Sequence, residues 1–426
     1  MEYNKPIYRN TIYNDGHALI FKLILFIISP FLSFLYSLKN ANSKSSYIIY
    51  FIFGVIFCWH MEPNPSAHYD DLTGIKERFL TTRISTHYLQ EQVNKFFSFS
   101  GDGEKEIYEI FLNWLTRQFS DNPHLFFALA SIPFLIFFLK CLKRVTNDPK
   151  FNNSITSLII LALFVLPRDI ITVQNPRYCT GMWLVVLAIF IYHLDKRKKI
   201  LACLMVLSAV FFHSGFWATV AIFIACAFIS KFHKVSVILF YISIPFSFLA
   251  FDAYSVISIE SLPIPDNFAR WIDNYFNDDS VNQLGKSFGT SGYYWINIMF
   301  DILKKIAYVG IAILLLKERK SIDKRNDGYK ELFYFFITYF AIVNLIQSIP
   351  VLNQRTYFVV RILAIFMWFK LMYPKKNGYL LFVLFTCSWE IFYRYFYKGA
   401  VNSSVPYDIF FAPLPVLISD FWGATT

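Results

Sequence analysis

Long apolar runs, each almost free of charge, constrain this 426-residue chain more than any other feature. A run of about 20 such residues matches the hydrocarbon thickness of a bilayer. Hydrophobic residues reach 56% and charged residues only 16%, with Phe at 49 positions. Soluble domains average about 45–50% and 25%, so a soluble fold could not cover this much apolar surface. The runs define candidate helices at Leu19–Leu38, Tyr47–Met61, Pro123–Leu142, Ile155–Ile171, Tyr178–Leu194, Ile200–Phe212, Gly215–Ile229, Val235–Phe251, Ile296–Leu316, Leu332–Ile349, Tyr357–Tyr373 and Tyr379–Phe396. The expected fold is all-α: a polytopic integral membrane protein of about twelve transmembrane helices, one membrane domain over residues 1–426. The first run follows a polar head and lacks a small-residue cleavage site, so it is expected to be retained rather than removed as a signal peptide.

The formal charge of +11 suggests nucleic acid at first sight. The placement of the charge excludes that reading, because the basic residues sit in short loops between apolar runs. Lys39 with Lys44; Lys140, Lys143, Arg144 and Lys150; Lys196 to Lys199; Lys231 with Lys234; Lys317 to Lys330; and Lys375 with Lys376 alternate with segments poor in Lys and Arg. Assigning that set to the cytoplasm satisfies the positive-inside rule in one threading, with both termini outside. Two larger loops, 63–120 and 252–293, then face the periplasm. Both are acidic, and aromatic amphipathic stretches such as Ile107–Phe119 predict short helices lying at the interface. The six cysteines fall mostly inside apolar runs without CxxC or other metal spacing, as small buried hydrophobes do.

Charges at the ends of membrane helices are costly and usually face a cavity that uses them. The strongest pattern is Pro167-Arg168-Asp169 followed by Gln174-Asn175-Pro176-Arg177, a connection with two prolines that turns the chain between two spans. Two guanidiniums on one hairpin suit a diphosphate, since each presents a planar fork of donors. The plainer alternative pairs Arg168 with Asp169 and lets Arg177 snorkel to headgroups. Arg355 opens a later helix, and Arg361 lies six residues on, about 600° around it, so only one of the two need face a shared cavity. Asp301 with Lys304 or Lys305 has the spacing of a structural ion pair. His213, in Phe211-Phe212-His213-Ser214-Gly215, ends a short apolar run about 20 Å of helix from a basic cluster, and the Ser-Gly that follows marks a bend or hairpin within the membrane. Imidazole there is a natural general base, or a packed, hydrogen-bonded side chain. Asp70 and Asp71 begin the first outer loop and suit a sugar hydroxyl or a divalent metal. Glu109 could recognise sugar or lie on a solvated face.

Taken in order, His68-Tyr69-Asp70-Asp71, Glu109-Ile-Phe-Leu-Asn-Trp-Leu, Asn175-Pro-Arg177, Phe-Phe-His213-Ser-Gly, then Arg355 and Arg361 resemble the EpsG/Wzy-like polysaccharide polymerases over most of the chain. The resemblance implies a bacterial inner-membrane glycosyltransferase. It would move a growing glycan from undecaprenyl diphosphate onto the sugar of another lipid-linked repeat unit at the periplasmic face, making capsule, exopolysaccharide or O-antigen. Within it, His213, Arg177 and Asp70 are the expected catalytic residues, and Arg168, Arg355, Arg361, Asp71 and Glu109 the expected substrate-binding residues. No cofactor or metal is expected. The expected partners are the lipid-linked oligosaccharides, the bilayer and, as a further candidate, a chain-length regulator; nucleic acid is not among them. Three rivals remain. A polyprenyl-phosphate-sugar glycosyltransferase would use the first-loop acids, a flippase would share the arginines but needs a repeat of hydropathy that is not evident, and an acyltransferase using His213 lacks a second motif.

Overall fold

The computed structural model describes residues 16–62, 71–97, 107–152, 154–170, 175–248, 294–347, 349–375, 377–394 and 407–423. Among the described residues there are eighteen α-helices and no strand. They are α1 (Gly16–Ile28), α2 (Pro30–Ser37), α3 (Lys44–Trp59), α4 (Asp71–Thr81), α5 (Thr86–Phe97), α6 (Ile107–Arg117), α7 (Pro123–Thr146), α8 (Ile155–Val165) and α9 (Pro176–Leu194). The second half adds α10 (Lys199–Phe212), α11 (Phe216–Ile229), α12 (His233–Ser243), α13 (Tyr294–Lys317), α14 (Arg319–Asp323), α15 (Gly328–Leu345), α16 (Pro350–Leu371), α17 (Asn377–Ile391) and α18 (Leu414–Gly423).

Local chemistry explains where these helices start and stop. The expected first span Leu19–Leu38 is two helices, because Ser29 is extended and its side chain caps α2 by accepting from Leu32 N–H, with Pro30 at the first helical position. Asn122 caps α7 and Asn175 caps α9 in the same manner, each followed by a proline. The run ending at Phe212 breaks at His213, whose backbone is extended (φ −158°, ψ 127°), and resumes as α11. In the 63–120 segment, α4, α5 and α6 account for the expected short helices; the 252–293 segment lies outside the described residues. The C-terminal α18 matches no expected element.

By length and apolarity α7 and α9 are sufficient to cross a membrane, while α3, α8, α10, α11 and α12 are shorter apolar helices. Side chains such as Ile24, Leu204, Ile224, Phe228, Ile238 and Phe385 point outward as an apolar surface, the inverse of a soluble protein's. Inside, α9, α15 and α16 form the most enclosed part of the core, with Met182–Phe190, Leu332–Ala341 and Val359–Phe369 buried almost without interruption. Helix α9 packs on α7, α10 and α15, and α16 packs on α15, α8 and α13.

The basic loops gather at one end of this bundle. Arg144 pairs with Asp195 at 2.5 Å and Lys370 with Asp148 at 2.5 Å, and Lys150 donates to the Lys370 carbonyl at 3.0 Å. Gly328 opens α15 against the His193 carbonyl at the end of α9, an approach that leaves no room for a Cβ. The first turn of α9 and the break at His213 lie at the opposite end.

Candidate functional site

The site is organised around Tyr178, in the first turn of α9. Asn175 accepts from Tyr178 N–H, which fixes the helix start, and the buried Tyr178 hydroxyl donates to the Arg355 carbonyl at 2.8 Å. Its ring meets that of His213 edge-on at 5.8 Å and stacks on Phe216 at 5.3 Å and 11°. Arg168 and Arg355 each place their guanidinium carbon 5.1 Å from the centre of the same Tyr178 ring, and Arg168 also lies 4.0 Å from the Phe358 ring. Aromatic faces attract cations, but two cations on one ring repel each other. Arg168 forms no ion pair among the described residues, and its Nε is buried without a hydrogen-bond partner. The chain has therefore built a cationic locus that its own described carboxylates only partly answer.

The backbone that carries Arg168 is held from two sides. Trp183 Nε1 donates to the Arg168 carbonyl at 2.9 Å. Asp169 does not pair with its neighbour Arg168; it pairs with Arg394 at 3.1 Å, and Arg394 also donates to the Leu166 carbonyl at 2.6 Å. Adjacent side chains diverge at this turn, so the nearer cation loses to one 225 residues away.

His213 is 8% exposed, and its Nδ1 accepts from Gly215 N–H at 2.8 Å. An imidazolium carries protons on both nitrogens and could not accept that bond, so Nε2 holds the single proton of the ring. As folded, the imidazole therefore carries its one N–H on Nε2. The general-base role expected from the sequence would require the ring to give up the Gly215 amide first.

The remaining expected residues fall into two places. Glu109 is 5% exposed rather than solvated: Arg78 Nε binds its Oε1 at 2.6 Å and Arg177 Nη1 binds its Oε2 at 2.9 Å. Through Arg177 it adjoins the Tyr178 group. Arg361 belongs elsewhere. Only 2% exposed, it pairs with Glu390 at 2.9 Å within a network in which Arg394 and Lys304 also bind Glu390, at 2.6 and 3.4 Å, and Lys304 binds Asp301 at 2.8 Å. Asp70 lies outside the described residues, and of Asp71 only the backbone, opening α4, is described. Among the described residues no three His, Cys, Asp or Glu side chains come together as a metal site would require.

Sequence reasoning missed Tyr178, Arg78, Glu390 and Arg394. A carboxylate inside the apolar run Tyr379–Phe396 was a usable signal for Glu390, since such a charge is rarely idle. Arg78, one of two cations on α4, carried none.

A sequence model of the EpsG family matches residues 85–409, more than half of the chain and all of the expected site residues except Asp70 and Asp71. No curated protein matches the chain, and neither does any solved structure. The chain belongs to the EpsG family and is a helical membrane protein of the polysaccharide-polymerase type.

Proposed function

We propose that the protein joins lipid-linked oligosaccharide repeat units, transferring a glycan from undecaprenyl diphosphate onto a sugar hydroxyl of another unit at the periplasmic face of a bacterial inner membrane. The observation that carries this reading is the convergence of Arg168 and Arg355 on the Tyr178 ring beside His213, with Arg177 next along the chain. Cations held together in a low-dielectric site favour a multiply charged anion, and a diphosphate is the anion a lipid-linked sugar donor releases. The site also lies at the end of the bundle opposite the basic loops, where the positive-inside rule puts the periplasm.

In the reaction the acceptor oxygen forms a bond to the anomeric carbon, the bond from that carbon to the diphosphate breaks with its electron pair going to the phosphate oxygen, and the hydroxyl proton passes to the departing diphosphate. Diphosphate departs readily once its growing charge is met, so the guanidinium forks supply the main stabilisation. His213, with its proton on Nε2, adds a hydrogen-bond donor to the same anion.

The test uses purified protein in lipid discs, given the lipid-linked unit extracted from cells that lack the gene. Wild type should build a ladder of polymer. His213→Ala should lose on the order of 10²-fold in rate, the cost of one donor aimed at developing charge. His213→Gln keeps a side-chain N–H and should retain more activity than His213→Ala. Wild-type rates in both variants, with unchanged melting, would sink the reading.

A further inference from the structure

Helices α4, α5 and α6 close over the outer end of the bundle, with α6 resting on α7 and α10 and α4 on α7. Between them and the start of α9 is a polar cleft of about 70 Å³ lined by Arg78, Thr82, Tyr88, Glu109, Asn113 and Arg177. It is room enough for one edge of a sugar ring rather than a whole saccharide.

Asn113 gives the cleft a chemical preference. The residue is 3% exposed, and its Oδ1 is buried without a hydrogen-bond partner. A buried carbonyl oxygen left unpaired is unusual and calls for a donor from outside the chain. Asn113 stands four residues after Glu109, on the same face of α6. The Glu109 carboxylate has about four lone-pair positions, and its contacts with Arg78 and Arg177 leave capacity for another donor. Thr82 Oγ1 donates to the Arg78 carbonyl at 2.8 Å, so its own lone pairs remain to accept.

A ligand for this cleft must bring donors. A phosphate would be drawn to Arg78 and Arg177, but it brings only acceptors and leaves Asn113 Oδ1 without a donor. A cation would meet Arg78 and Arg177. A hydroxyl group donates and accepts at once and suits all of these neighbours.

We infer that this cleft seats a sugar of the acceptor unit, whose hydroxyls donate to Asn113 Oδ1 and to Glu109. Arg177 is then the wall shared by the sugar cleft and the diphosphate locus. The assignment to the acceptor rests on the proposed polymerase reading; the affinity of the cleft for sugar hydroxyls does not.

The experiment measures saturation transfer by NMR from the full chain in lipid discs to methyl glycosides of glucose, galactose and N-acetylglucosamine. At least one should bind wild type. Asn113→Leu, which keeps the size and removes the acceptor, should weaken that binding about tenfold, the scale of one hydrogen bond. Asn113→Asp should keep it. Thr82→Val gives a second reading if Asn113→Leu fails to fold, with a smaller loss in the same direction. Binding unchanged in a folded Asn113→Leu, or in Thr82→Val where only that variant folds, overturns the assignment, as does failure of every glycoside to bind wild type. Arg168→Lys separates the two claims. Should that variant polymerise normally, the diphosphate reading falls while the cleft is still judged on Asn113.

Discussion

The network around Glu390 and the cluster around Tyr178 both gather arginines at the same end of the molecule, yet they differ in how their charges are answered. Glu390 meets Arg361, Arg394 and Lys304, and Asp169 and Asp301 take up the remaining valence of Arg394 and Lys304. Among the described residues, cations and carboxylates are equal in number there. Around Tyr178, Arg168 is held by aromatic rings, with no carboxylate partner among the described residues. A closed network can only hold helices together, whereas an open one retains capacity for a ligand. The difference predicts which charges the fold needs and which it can lose without unfolding.

The largest effect should follow from opening the closed network. Glu390→Leu leaves Arg361 and Arg394 without their shared carboxylate inside apolar helices, and losing one partner of a buried ion pair typically costs about 3–5 kcal/mol. The melting temperature in detergent should fall steeply, and adding Arg361→Met should restore part of it. A Glu390→Leu protein that melts like wild type would erase the distinction.

Arg168→Lys tests the other side. The charge stays, the planar fork goes, and no ion pair among the described residues is broken. Polymerisation should fall by about 10²–10³ while melting barely moves. Strong destabilisation instead would move Arg168 into the structural class.

The smallest effect sharpens the comparison rather than breaking it. Gly181 lies one turn below Tyr178, and a Cβ there would strike the ring of Phe216, which stacks on Tyr178. Gly181→Ala should cost about 1–3 kcal/mol by overpacking and reduce activity several-fold by tilting Tyr178. Pairing it with Phe216→Leu should recover both, and recovery of stability alone would show that the tilt of Tyr178 does not matter to the chemistry.

Elements with local signals were legible in the sequence. The prolines up to Pro176 marked the turn before α9, and Ser214-Gly215 marked the break after His213, because chain reversal depends on a few adjacent residues. Charge pairing within a helix was legible, as for Asp301 with Lys304, but pairing between distant segments was not. Asp169 stands next to Arg168 in sequence but answers Arg394, and Glu109 is held by Arg78, 31 residues earlier, and by Arg177. Such partners are selected by which helices the fold brings side by side, and hydropathy says nothing of that. The tautomer of His213 was equally hidden, since it depends on a backbone amide two residues on.

Helix α9 carries the site on its first turn and, at its last, touches the carbonyl-to-glycine contact with α15 among the basic loops. It is gripped by neighbours along its whole length, with nearly every residue from Tyr178 to Phe190 buried. The helix thus works as a fixed ruler between the two ends of the bundle. Adding one residue to it would turn Arg177 by about 100° against the far end and lengthen the rod by about 1.5 Å. The angular setting of Arg177 is therefore registered from the far end of the helix, and changes at the His193–Gly328 contact can be felt at the cluster around Tyr178.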